Sequence, residues 1–140
     1  MASVPGLTLL KLSAWADRGL ESNKDAADLR RLFTTYADAG NTDRLYDREI
    51  DLLETAGFDM ELAGAELLGR DVATICESRV LRQIRALVET EPSRERLARH
   101  MLQNGVYGMD SDAAPAMEGI VNGFCRGLGI DGKFGRGGQI

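Results

Sequence analysis

The sequence predicts an all-α protein: a compact multi-helix domain of about six helices over residues 1–129, followed by a disordered glycine-rich tail over 130–140. Three observations predict it. Apolar residues recur at helical spacing through nearly every long segment. No alternating run of β-branched and aromatic residues is long enough to make a strand. A chain of 140 residues with 44% hydrophobic content can build one core without disulfides or metal.

Leu7, Leu10 and Ala14 recur at helical spacing after a Val4-Pro5-Gly6 turn, which predicts a first helix from Leu7 to Arg18. Ser22 and Asn23 are good N-cap types for a second helix. Its apolar residues Leu29, Leu32, Phe33 and Tyr36 follow the i, i+3, i+4, i+7 rule before Gly40 closes the segment. Thr42 with Asp43 opens a third, bearing Leu45, Tyr46, Ile50 and Leu53 and ending before Gly57. Asp59 opens a short helix with Leu62, Leu67 and Leu68 that stops near Gly69. From Asp71 to Glu91 a further segment keeps helical period, with a break near Ser78. Pro92 and Ser93 interrupt it, and Arg94 to Gln103 reads as a short helix. Pro115 suits the first turn of the last helix, which carries Met117, Ile120, Val121, Phe124 and Leu128. Beyond Gly129, the run from Asp131 to Gly138 has too little apolar surface to offset the entropy of ordering its glycines.

A formal net charge of −5 disfavours generic binding to phosphate backbones, so no direct nucleic-acid partner is expected. Cys76 and Cys125 stand far apart with no Cys-x-x-Cys, which fits reduced thiols and no zinc site. The apolar stretches fall short of the roughly 20 residues that cross a bilayer. The start lacks a basic region ahead of an apolar one, so a cytoplasmic location is expected.

Lys11, Trp15 and Arg18 fall at i, i+4 and i+7 on the first helix, placing an ammonium, an indole and a guanidinium along one stripe. Such a stripe suits a triphosphate and a base. It equally suits a core tryptophan whose charged neighbours run their stems over it. Lys11 interrupts Leu9, Leu10 and Leu12, which calls for a polar pocket or a carboxylate partner. Asp25 and Asp28 are favoured near a helix N-terminus by the helix dipole. As i, i+3 neighbours they repel, and Lys24, Arg31, Lys11 or a shared cation would relieve them. Asp110-Ser111-Asp112 reads as a surface turn. His100, the sole histidine, reads as a surface or satisfied core residue. Gly119, Gly123 and Gly127, four apart, read as a face for tight packing within the molecule, with self-association open.

The stretch from Leu10 through Lys11 and Trp15 to Arg18, a short spacer, and Lys24-Asp25-Ala26-Ala27-Asp28-Leu29 resembles the lysine helix and Lys-Asp-x-x-Asp-Leu segment of the AbiEii/AbiGii-type nucleotidyltransferase-like proteins. The likeness covers about residues 4 to 36 and returns faintly in Phe124-Cys125-Arg126-Gly127-Leu128. In that family a nucleotidyltransferase sheet with a Gly-Ser or Gly-Gly turn and an Asp-x-Asp pair precedes the lysine helix. The resemblance implies that Lys11 faces a nucleotide triphosphate and that Lys24, Asp25 and Asp28 border the same pocket. It also implies that the metal-binding half is absent. Magnesium and a nucleoside triphosphate are implied only for a complete enzyme, and this chain alone is expected to hold no metal or cofactor and to transfer no nucleotide.

Two readings follow. The chain is the helical part of a nucleotidyltransferase-like protein that contributes to triphosphate binding, or it is a non-enzymatic helical interaction or dimerisation module. Leu7, Leu9, Leu10, Leu12 and Trp15 occupy most of the circumference of the first helix, which predicts a homodimer or a separately encoded catalytic domain docked there, centred on Trp15.

Overall fold

The computed structural model describes residues 3–18, 24–102 and 113–130. They form eight α-helices: α1 (Val4–Arg18), α2 (Lys24–Thr35), α3 (Thr42–Tyr46), α4 (Ile50–Thr55), α5 (Met60–Ile75), α6 (Ser78–Leu87), α7 (Glu91–Leu102) and α8 (Ala113–Leu128). No strand occurs among the described residues. The predicted caps at Ser22 and Asn23, the Asp110-Ser111-Asp112 turn and the tail from Asp131 onward lie outside them.

The boundaries follow local chemistry. Ser3 caps α1, its Oγ accepting from Gly6 N–H at 3.1 Å and its carbonyl from Leu7 N–H at 2.8 Å. The helix therefore starts at Val4, ahead of the predicted turn, with Pro5 inside the first turn where its missing N–H costs nothing. Asp59 caps α5, its carboxylate accepting from Glu61 and Leu62 N–H. Thr90 does the same for α7, accepting from Ser93 N–H at 3.2 Å, so this helix begins at Glu91 and takes Pro92 into its first turn.

The segment after Thr42 is divided in two, and the one after Asp71 gives its first part to the preceding helix and its second part to α6, so the seven expected segments become eight helices. The segment from Thr42 to Leu53 breaks at 47–49, where Asp47 leaves helical geometry at φ −106°, ψ −84°. The segment after Asp71 is broken at Cys76, whose ψ of 144° is extended, two residues before Ser78. Conversely, Gly69 does not stop a helix: α5 runs through it to Ile75. Ile130, placed in the tail by the sequence, packs against the core and donates its N–H to the Cys125 carbonyl at 3.0 Å.

α5 is the centre of the fold. It lies along α8 over the longest interface in the molecule and also meets α1, α2 and α4. Its buried side, Ala63, Gly64, Ala65, Leu67, Leu68, Gly69 and Val72, is rich in small residues, so neighbouring backbones approach closely. The closest approach is the crossing with α8. A Cβ on Gly69 would stand 2.2 Å from the Phe124 carbonyl oxygen, and one on Gly127 would stand 2.1 Å from that of Glu66. The glycine face of α8 thus packs within the molecule. Next to the crossing, Phe124 stacks on Phe33 of α2 with centroids 4.4 Å apart.

α1 presents a different face from the one its leucines suggest. Its buried residues are Thr8, Leu12 and Trp15, whereas Leu10 is 63% exposed. Thr8 can be buried because its hydroxyl donates to the Val4 carbonyl at 2.8 Å. Tyr46, expected among the apolar positions of the third helix, is largely exposed, as is Ile75 at the end of α5. Among the described residues no helix is long and apolar enough to cross a membrane.

Candidate functional site

The lysine that looked out of place among leucines does have carboxylate partners. Lys11 Nζ lies 2.7 Å from Asp28 Oδ2 and 3.7 Å from Asp25 Oδ1, both in the first turns of α2. Asp25 is buried and Asp28 partly exposed. The hydrogen bond to Asp28 is the main cause that raises the Lys11 pKa, against the opposing effect of burial. Lys24 opens α2 with its side chain exposed. Arg18 closes α1, and its side chain lies outside the described residues.

Trp15 does not join this cluster. It is 1% exposed, its Nε1 donates to His100 Nδ1 of α7 at 3.0 Å, and the Arg96 guanidinium lies 4.6 Å from its ring centroid. The predicted stripe is therefore divided. Lys11 turns to the carboxylates of α2, and Trp15 is enclosed within the core, unavailable to a base or to a second protein. An interface centred on Trp15 is corrected accordingly, because the indole finds its apolar cover and its hydrogen bond inside its own fold. The cation over its face comes from Arg96, which sequence spacing on α1 had no means of revealing.

Because Nδ1 accepts from Trp15, the His100 ring is neutral with its proton on Nε2. Burial is the main cause that lowers its pKa, and the Arg96 and Arg99 charges add to it. A histidine held neutral in the fold takes up its proton more readily when unfolded. Stability is therefore full above the unfolded value near 6.5 and is lost as pH falls through the lower folded value. Urea unfolding is expected to show a decline from pH 7.5 to pH 5.5 that His100→Gln, which keeps an acceptor for Trp15, removes. An identical decline in the variant would assign it to other groups.

A second polar cluster went unnoticed in the sequence. Asp71 of α5 receives two hydrogen bonds from Arg44 of α3, at 2.9 and 3.0 Å, and one from the Tyr36 hydroxyl. Arg70 extends the cluster to Glu49 at 2.9 Å and Asp51 at 3.1 Å. Burial, together with the hydrogen bond to Asp71, pushes the Tyr36 phenol up to about 12. Burial works to raise the Asp71 pKa, but the Arg44 and Tyr36 hydrogen bonds outweigh it and hold the carboxyl below its usual range. These pairs fasten α3 and α4 to α5.

The remaining candidate is a surface feature. Between α1 and α6 runs an open groove of about 270 Å³ whose lining includes Leu9, Leu10, Val80, Ile84 and Leu87, with Ser13 and Asp17 on one rim and Gln83 on the other. Successive helical residues turn by about 100°. Leu9 and Ala16 therefore flank the buried stripe of α1 on one side and Lys11 on the other, with the exposed Leu10 on the ridge between groove and lysine. Cys125, buried, has its thiol pushed up to about 12, and burial raises that of the partly exposed Cys76, so neither offers a thiolate at neutral pH.

Among the described residues no group of three or more metal-ligating side chains could hold an ion. Comparison with protein-family models, with curated proteins and with solved structures finds no match in any of the three.

Proposed function

We propose that this chain is a non-catalytic helical interaction module whose partner-binding face is the α1–α6 groove. One observation supports the reading above the others: apolar side chains of two helices line an open cleft, and Leu10 beside it is 63% exposed. Side chains left this way in water favour a covering surface at roughly 25 cal/mol per Å² buried. The polar clusters are internally paired and argue for structure rather than turnover. A photo-crosslinking residue placed at Ser13 or Gln83, both exposed, is expected to capture a discrete protein partner in cells, and one placed at Tyr46 is not. Equal capture from both faces, or from neither, would remove the reading.

A second reading keeps the family likeness: the helical part of a nucleotidyltransferase-like protein, with a separately encoded catalytic domain docked over α1. It is favoured by the convergence of Lys11, Asp25 and Asp28, which the resemblance assigned to one pocket. Against it, Lys11 is already paired with the two carboxylates, and Trp15 is enclosed. Titration calorimetry of the chain with each common nucleoside triphosphate and magnesium is expected to show no saturable heat, and incubation with labelled nucleotide no transfer. Saturable binding lost on Lys11→Met would restore the second reading.

A further inference from the structure

The segment from Asn41 to Phe58, which holds α3 and α4, is attached differently from the rest of the fold. Left-handed backbone bounds it at both ends: Gly40 at φ +88° just before it, and Gly57 at +65° and Phe58 at +64° where it closes. That conformation is disfavoured for a phenylalanine, whose Cβ crowds the following carbonyl, so strain is held at the exit. The Phe58 side chain is 56% exposed and recovers little of the cost by packing. α3 has five residues and α4 six, and neither receives a side-chain cap. Helices this short do not persist alone in water, so both depend on what they dock against. They meet chiefly each other and α5. Leu45, Leu52 and Leu53 are buried, and most of the other side chains in the segment are exposed.

The second attachment is ionic. Arg44, Glu49 and Asp51 of the segment join Tyr36, Asp71 and Arg70 of the frame in one connected set of contacts, with Arg44 also reaching Glu49 at 3.7 Å. Every charged group in the set is partly open to solvent, so water can replace each contact as it breaks. The α5–α8 crossing is the opposite case. Backbone meets backbone there, and nothing separates without moving a whole helix.

We infer that residues 41–58 are a strap that opens as one unit while α1, α2 and α5 to α8 stay folded, with the Arg44–Asp71 and Arg70–Glu49 contacts as its latch. Gly40 and Gly57 are the hinges, since glycine takes up new φ and ψ at the least steric cost. Opening relaxes Phe58 and hydrates Asp71 and Tyr36 in place of Arg44. The strap lines no part of the α1–α6 groove, so its opening and the occupancy of that groove are tested separately.

Native-state amide exchange of the full chain, followed by NMR in low concentrations of urea, tests the strap. The amides of Leu45, Ala56 and Phe58 donate to the Asn41, Leu52 and Leu53 carbonyls. They are expected to exchange through one opening with a shallow urea dependence, because little surface is exposed. Amides at the centres of α5 and α8 should show the steep dependence of whole-chain unfolding. Arg44→Met keeps the aliphatic stem and removes the guanidinium. It should speed strap exchange about tenfold or more, the equivalent of one charge-assisted hydrogen bond, and leave the urea dependence shallow. Phe124→Leu, within the frame, should speed α8 exchange and leave the strap rates where they were. Strap amides that share the urea slope and rates of α5 and α8, or strap rates unmoved by Arg44→Met, would overturn the inference. Strap rates that rise in step with those of α8 in Phe124→Leu would do the same without any change to the latch.

Discussion

Gly127→Ala is expected to destabilise the protein by about 3 kcal/mol, in the upper range for forced overpacking, although alanine is the better helix former by about 1 kcal/mol. The new Cβ would stand 2.1 Å from the Glu66 carbonyl oxygen, 2.8 Å from Arg70 N and 2.9 Å from Gly69 Cα. All three are backbone atoms of α5, so no side chain can rotate aside and the two helices must separate along their longest interface. Gly119→Ala, on the same helix, should have the opposite sign. Its Cβ meets only Leu62 Cδ2, at 3.7 Å, which is ordinary contact, and the gain in helix propensity of up to about 1 kcal/mol is kept. Thermal melts decide it, with Gly127→Ala expected about 10 °C lower and Gly119→Ala slightly higher. Two variants that move the same way would show that packing at the crossing is not the controlling term.

Phe124→Ala is expected to cost about 3–5 kcal/mol, the range for emptying a buried aromatic site. Phe124 is fully buried and stacked on Phe33, its backbone is pinned against Gly69, and the surroundings cannot collapse into the space. Against a total stability of about 5–15 kcal/mol for a domain of ordinary size, the loss leaves a marginal fold. The urea midpoint should fall with little change in slope. In a double-mutant cycle, Phe33→Ala should cost less in the Phe124→Ala background than alone, because the first change has already removed the stack. Additive costs would mean that the rings pack independently.

The all-helical class, the closing helix with Pro115 in its first turn and the inward face of α2 were legible because the apolar period singles out one side of each segment. Lys11 was legible as a residue in need of a carboxylate, because an amine among leucines is costly whatever the fold. The buried face of α1 was not. Leucines surround that helix, so period selects no side, and the choice is made by Trp15 finding His100 across a long sequence separation. Gly69 was misread as a stop because a glycine's local effect and its packing effect look alike until the α8 backbone is seen against it. Arg44, Tyr36 and Asp71 were invisible for the same reason: each is an ordinary helix residue until α3 turns back on α5. The groove belongs to no single segment, since α1 supplies one wall and α6 the other.

The crossing at Gly69 and Gly127 also dictates an order of assembly. During synthesis α5 is complete well before α8, and although α1, α2 and α4 precede it and pack on it, its face around Gly69 gains its α8 cover only when residues near Gly127 arrive. A chain halted short of α8 would keep that face open to chaperones or to other nascent chains. Closing so distant a contact also carries a loop-entropy cost that the local helices do not. Variants at the crossing would then alter the yield of soluble protein as well as the stability of what has folded.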